Sequence, residues 1–227
     1  MRLASLFSGG KDSVFSMYAT IQSGHEVPYI VSINPIGDMS WIFHVPNIDK
    51  VPVMAEAMGR QHIIGTTDGT EEGDMKGLTE ALSGLDIDGV VLGAVWSDYQ
   101  MDRINRVCGD LDLKVLAPMW RKDQNMIAHE IVDSGIKAEI IGYYAEGFGP
   151  EWLGRTIDDE AIKDLEKLSK KYGISVIGEG GEYETLVTDS PMHRYPLEIE
   201  GSNKVIGRNS GTLNVTKLVP GSRERIF

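Results

Sequence analysis

The sequence predicts an α/β protein, a parallel sheet with helices on both faces followed by a smaller α+β domain. Three observations carry this. Through the first half of the chain short β-rich runs alternate with helical patterns, the order a parallel sheet with crossover helices requires. The run Gly89–Val95 is nearly all apolar, as a strand covered on both faces must be. Near Trp120 the order becomes less regular, which separates residues 1–120 from 121–227, although no Pro/Gly/Ser-rich linker marks the join.

The elements follow from local pattern. Leu3–Phe7 is an apolar strand that runs into glycines. From Asp12 to Gly24, Val14, Phe15, Tyr18 and Ile21 fall near one helical face, with Gly24 as the stop. Val27–Ile33 reads as a second strand. Asp49 is expected to cap a helix that has Pro52 in its first turn and ends at Gly59. A short strand at Ile63–Ile64 precedes a helix between about Gly73 and Gly84. After Gly89–Val95, the residues Ile104, Val107, Cys108 and Leu111 mark one face of the next helix, and Lys114–Leu116 is a fifth strand. In the second half Ile127 to Ser134 is helical and Glu139–Tyr143 is a strand. Asp158–Lys171 is a well-signalled helix, with acids in its first turn, lysines in its last and Gly173 beyond. Ile174–Ile177, a glycine-rich segment and several β-like stretches complete the chain.

Composition narrows the chemistry. Of 227 residues 41% are hydrophobic and 25% charged, so a core is available without staples. The single cysteine, Cys108, excludes an internal disulfide framework and a multi-cysteine metal site. Asp and Glu number 34 against 22 Lys and Arg, a net charge of −12. Such a surface repels phosphate backbones, so direct nucleic-acid binding is not expected. No stretch has the length of a signal or membrane segment, so a cytoplasmic protein with no membrane partner is expected. A homo-oligomer is compatible with all of this.

The sharpest motif is Ser8-Gly9-Gly10-Lys11-Asp12-Ser13, between the first strand and the first helix. A helix N-terminus offers unpaired N–H groups and a positive dipole end, and two glycines let the backbone approach an anion without Cβ collisions. Ser8 and Ser13 add hydroxyls and Lys11 a positive charge. Asp12 suits either a helix cap or a carboxylate that helps hold Mg²⁺. Neither a Walker A pattern nor a dinucleotide fingerprint is present. The loop resembles that of the PP-loop pyrophosphatases, enzymes that adenylate their substrates with ATP. That resemblance implies a sheet of the adenine-nucleotide α-hydrolase type and the cofactors ATP and Mg²⁺.

A second motif, Gly178-Glu179-Gly180-Gly181-Glu182-Tyr183-Glu184-Thr185, holds three glutamates and three glycines in eight residues. It is either a solvated acidic loop or a set of carboxylates for acid/base work or for binding a cation. Weaker signals are His44 after a strand-like run and Ser97-Asp98-Tyr99-Gln100 where a parallel strand closes. The stretch from Gly147 to Arg155, with Trp152 and Arg155, is either a lid or a packed loop.

Taken together, these segments resemble the diphthine–ammonia ligases, of the short archaeal type, from Met1 to roughly Asn209. The matching pieces are Leu6-Phe7-Ser8-Gly9-Gly10-Lys11-Asp12-Ser13, Phe43-His44-Val45-Pro46-Asn47, Ser97-Asp98-Tyr99-Gln100, Ala117-Pro118-Met119-Trp120, Trp152-Leu153-Gly154-Arg155 and Glu179-Gly180-Gly181-Glu182-Tyr183-Glu184-Thr185. Long eukaryotic members carry extra C-terminal domains, which are not expected here.

The resemblance implies ATP-dependent amidation of diphthine on translation elongation factor 2 by ammonia, through an acyl-adenylate, with AMP and pyrophosphate released. It implies that Ser8, Gly9, Gly10, Lys11, Asp12, Ser13 and His44 contact the nucleotide. Lys11, Asp12, Glu182 and Glu184 take catalytic roles, with Asp12 also the Mg²⁺ ligand. Tyr99, Gln100, Trp152, Arg155 and Glu179, Gly180, Gly181, Glu182, Tyr183, Glu184 and Thr185 face the substrate. Glu179, Glu182 or Glu184 would meet its trimethylammonio group, with Tyr183 adding a cation–π face. The glutamate segment is expected to face the nucleotide loop, and glutamine at 182 or 184 to leave the melting temperature nearly unchanged.

Two other readings compete. A tRNA-modifying PP-loop enzyme of the thiolating kind needs reactive cysteines and a basic RNA-binding surface. A non-catalytic ATP sensor has no need of the glutamate-rich loop.

Overall fold

The computed structural model describes residues 1–36 and 47–222. It divides into two compact units, Met1–Trp120 and Arg121–Phe227.

The first unit is built on five strands, β1 (Arg2–Leu6), β2 (Glu26–Pro35), β3 (Gln61–Thr67), β4 (Gly89–Val91) and β5 (Lys114–Leu116). Every pairing among them is parallel and the order is β3-β2-β1-β4-β5. The chain starts in the middle at β1, builds outward to β3, then crosses back to place β4 on the other side of β1. Direction therefore reverses between β1 and β4, and open parallel sheets bind ligands at the carboxyl ends of the strands at such a point.

Helices α1 (Lys11–Gln22), α2 (Val51–Ala57), α3 (Glu71–Leu82) and α4 (Asp98–Asp110) fill the crossovers. Strand alternation sends Ala4, Leu6, Val31, Ile33, Val90 and Leu92 to one face, against Leu78, Ala81 and Leu82 of α3 and Ile104, Val107 and Cys108 of α4. Leu3, Ile30 and Val91 take the opposite side and are also fully buried. Burial on both faces is why these strands read as apolar runs. Cys108 is buried, and burial raises its thiol pKa to about 11, so it is inert packing.

Among the boundaries that differ from expectation, three have a clear physical cause. β4 stops at Val91; Leu92 makes one further bond to the Leu116 carbonyl, and Gly93–Trp96 leaves the ladder as an irregular segment. β3 is seven residues long, because all of Gln61–Thr67 pairs with Tyr29–Pro35 even where its side chains are polar. Asp49 does not cap α2. It sits inside a 3₁₀ turn, Ile48–Lys50, where its carboxylate pairs with Lys50, and Asn47 takes the left-handed conformation that opens the turn.

The second unit holds an antiparallel sheet, β6 (Lys137–Tyr143), β7 (Tyr183–Asp189), β8 (Leu197–Ile206) and β9 (Gly211–Pro220), in the order β7-β6-β9-β8. It also holds α5 (Gln124–Asp133) and α6 (Asp159–Tyr172). Helix α6 starts at Asp158, whose carboxylate accepts the Ala161 N–H, and ends at Gly173 with φ 75°, a conformation glycine adopts without strain. Among the described residues no helix is long and apolar enough to cross a membrane.

Candidate functional site

In the first unit the candidate site begins where β1 ends. Gly9 has φ 84°, which turns the chain sharply, and Gly10 is the N-cap of α1. The turn is tied internally. The Ser13 hydroxyl donates to the Gly10 carbonyl at 2.9 Å and accepts the Ser8 N–H at 3.3 Å, and the Gly10 N–H points to the Ser8 hydroxyl at 3.4 Å.

The start of α1, like that of the short α2, has no side-chain cap. Helices α3, α4, α5 and α6 are capped by side-chain oxygens of Thr70, Ser97, Asp123 and Asp158. No side chain caps α1. The reading of Asp12 as a cap is therefore corrected: Asp12 lies one residue inside the helix and bends toward Lys11 instead. Lys11 is only 4% exposed, and its ammonium pairs with Asp12 Oδ2 at 2.8 Å. The other oxygen, Asp12 Oδ1, is buried with no hydrogen-bond partner. A buried carboxylate oxygen without a partner is costly, and a cation placed there removes the cost. Among the described residues no cluster of three or more His, Cys, Asp or Glu could hold a metal alone.

The carboxyl end of β4 supplies the neighbouring wall. Gly93 lies against the Asp12–Ser13 peptide. Trp96 is 43% exposed, and α4 begins at Asp98. Tyr99 is already engaged: its hydroxyl donates to Glu71 at 2.9 Å and the Arg103 guanidinium stacks 3.3 Å from its ring centroid. Arg103 also pairs with Glu71 at 2.8 Å, and that guanidinium, aided by Tyr99, lowers the Glu71 pKa. Gln100 stands in the first turn of α4, its N–H on the Ser97 hydroxyl. His44 lies outside the described residues.

In the second unit the glutamate-rich segment is a tight loop. The Gly178 N–H bonds to the Ser175 carbonyl and the Gly181 N–H to the Gly178 carbonyl. The Glu182 carboxylate closes it, accepting Ser175 N–H at 2.8 Å and Gly180 N–H at 2.9 Å. The expectation that Glu182 is dispensable for folding thus meets a structural role. The Glu179 N–H bonds to the Ser175 hydroxyl, which in turn donates to Gln124. A Cβ on Gly180 would crowd the Glu182 carboxylate at 2.8 Å, while Gly181, at φ 80°, faces open space.

Tyr183 is 4% exposed; its hydroxyl donates to the Val176 carbonyl and its ring lies 5.9 Å from Phe148. Its ring is committed to packing, which is a correction to its proposed role as a cation–π face. Glu184 sits in β7 opposite Gly142, and Thr185 opposite Ile140. Trp152 is buried edge-on to Phe148 at 5.0 Å. Arg155 stacks 4.5 Å from Trp152 and pairs with Asp164 at 2.7 Å. Lys167 and Arg155 together lower the Asp164 pKa. The stretch around Trp152 is thus the packed loop rather than a free lid. Sequence reasoning missed Asp164 and Glu71, the acidic partners of two expected site residues. Both are surface acids on helices, a type the sequence offers in abundance.

Comparison with known proteins adds a separate line. Residues 1–115 match the family described as diphthamide synthase N-terminal domain, and residues 123–220 match its C-terminal domain. A zebrafish (Danio rerio) protein named diphthine–ammonia ligase is 34% identical over 96% of this chain and 96% of its own length. The human (Homo sapiens) protein of that name is 35% identical over 91% of this chain and 85% of its own. The chain thus covers most of the length of both of these vertebrate relatives. A solved structure titled as a predicted subunit of tRNA methyltransferase, from Methanocaldococcus jannaschii, superposes with TM-score 0.48 at 18% identity, covering 84% of this chain and 98% of that one.

Proposed function

The chain belongs to the diphthamide synthase family, and from that premise we propose that it is a ligase that joins ammonia to the carboxylate of diphthine, the amidation that yields diphthamide. The finer reading is that ATP activates the carboxylate and that the protein substrate is elongation factor 2. One observation carries the nucleotide part of this: among the described helices of ten or more residues, α1 alone starts without a capping side chain, and it starts on a buried lysine.

A carboxylate is a poor electrophile until one of its oxygens becomes part of a good leaving group. In the proposed sequence that oxygen attacks the α-phosphorus of ATP. The new O–P bond forms as the bond to the bridging oxygen breaks, and pyrophosphate leaves. Ammonia nitrogen then bonds to the carbonyl carbon, AMP leaves with the oxygen, and the surplus proton on nitrogen passes to water. The uncapped amides of α1 and the Lys11 ammonium hold the departing phosphates, whose charge grows as the bond breaks. Asp12 would hold Mg²⁺, which when bound neutralises phosphate charge. In the structure Asp12 pairs with Lys11. In the second unit Glu182 shapes the 178–182 loop, and Glu179 and Glu184 remain the candidates for the cationic substrate.

The direct test combines the purified chain, ATP, ammonium and diphthine-bearing elongation factor 2, read by mass spectrometry of the modified histidine. Amide should form only when all four are present. Unchanged diphthine, or modification of added tRNA, would overturn the proposal.

A further inference from the structure

The segment that leaves β4 passes unusually close to the nucleotide loop. A Cβ built on Gly93 would lie 3.0 Å from the Asp12 carbonyl carbon, 3.0 Å from the Ser13 nitrogen and 3.2 Å from the Asp12 carbonyl oxygen. All three are backbone atoms of one peptide group in the first turn of α1, so no flexible side chain can swing aside. The φ of Gly93 is not in the left-handed region, so the constraint is space rather than backbone conformation. The peptide it touches carries one of the N–H groups that a helix start leaves for an anion.

We propose that Gly93 is a positioning residue for the phosphates: its missing side chain lets the exit of β4 lie flat against the Asp12–Ser13 peptide and fixes the aim of that amide. This rests on the nucleotide reading above. A methyl group at position 93 must push the first turn of α1 by a few tenths of an ångström or cover the Ser13 N–H. Either displacement weakens phosphate binding. A nucleoside carries no phosphate, so its binding should not depend on that amide.

The test compares dissociation constants for ATP and for adenosine by calorimetry in the parent, in Gly93→Ala and in Gly109→Ala. Gly109 lies in α4 with nothing within 4 Å of its would-be Cβ, so it controls for loss of glycine as such. Gly93→Ala should weaken ATP about tenfold or more and leave adenosine and the control unchanged. Equal losses for ATP and adenosine would mean a general disturbance, and an unchanged ATP constant would mean no role; either overturns the proposal. A parent that binds no ATP would sink the nucleotide reading itself, and Gly93 with it. If Gly93→Ala does not fold, the parent answers by NMR. Added ATP should shift the Gly93 and Ser13 amides together and leave Gly109 still, and an unmoved Gly93 counts against the idea.

Discussion

Lys11 and Asp12 illustrate how far single residues could be read. The letters alone placed an amine and a carboxylate at a helix start, but left Asp12 as either a cap or a metal ligand. Geometry removes the cap, since no side chain caps α1 and Asp12 Oδ2 is on Lys11, while the metal role stays part of the proposal. Lys11→Ala should fold, because Asp12 is partly exposed and tolerates the loss of its partner; Asp12→Ala should fold with a lower melting temperature, because the buried Lys11 ammonium loses that carboxylate. Each should lower turnover about 10²–10³-fold, the usual cost of one preorganised group. Full activity in either variant would remove the loop from the mechanism. Glu182 was not legible in the same way. Its partners are backbone N–H groups of Ser175 and Gly180, which leave no trace in side-chain pattern. Glu182→Gln keeps one acceptor and turns an amide toward the other N–H. It should cost about 1 kcal/mol, roughly 2–4 °C in melting temperature. Thermal denaturation that shows no shift would return Glu182 to the set of purely functional residues.

At the scale of elements, caps were the most transferable signal and strand ends the least. Asp158 was readable as a helix start, and it caps α6 in fact. Asp49 carried the same signal and failed, because Lys50 beside it takes its carboxylate. β4 was read four residues too long, since Leu92, Ala94 and Val95 stay buried beyond the end of the strand and keep the run apolar. The contrast between α1 and α6 makes a paired prediction. Asp158→Ala removes a cap and should cost about 1 kcal/mol of stability, with ATP affinity unchanged. Gly10→Asp does the reverse. Gly10 has φ −80° and ψ 165°, a conformation any residue adopts, so aspartate can cap α1 as others cap α3 to α6. Stability should hold or rise by a few tenths of a kcal/mol, while the added carboxylate occupies the phosphate position and ATP binding falls at least about tenfold. Calorimetry and thermal melts on both variants check this. Gly10→Asp that binds ATP as tightly as the parent would show that the α1 terminus is not the phosphate site.

For the whole molecule, the alternation of β and α in the first half and its breakdown near Trp120 were enough to reach a parallel sheet followed by a different unit. The strand order was not legible, because nothing in β4 says which side of β1 it joins. Yet that order puts the loop after β1 and the segment after β4 at the point where the sheet reverses direction. The central claim is that the chain spends ATP to activate a carboxylate, and the bond cut in ATP tests it most directly. With diphthine-bearing elongation factor 2 and ammonium present, nucleotide chromatography should show AMP, with pyrophosphate in equal amount and neither without the protein substrate. ADP and inorganic phosphate as the substrate-dependent products would contradict the account.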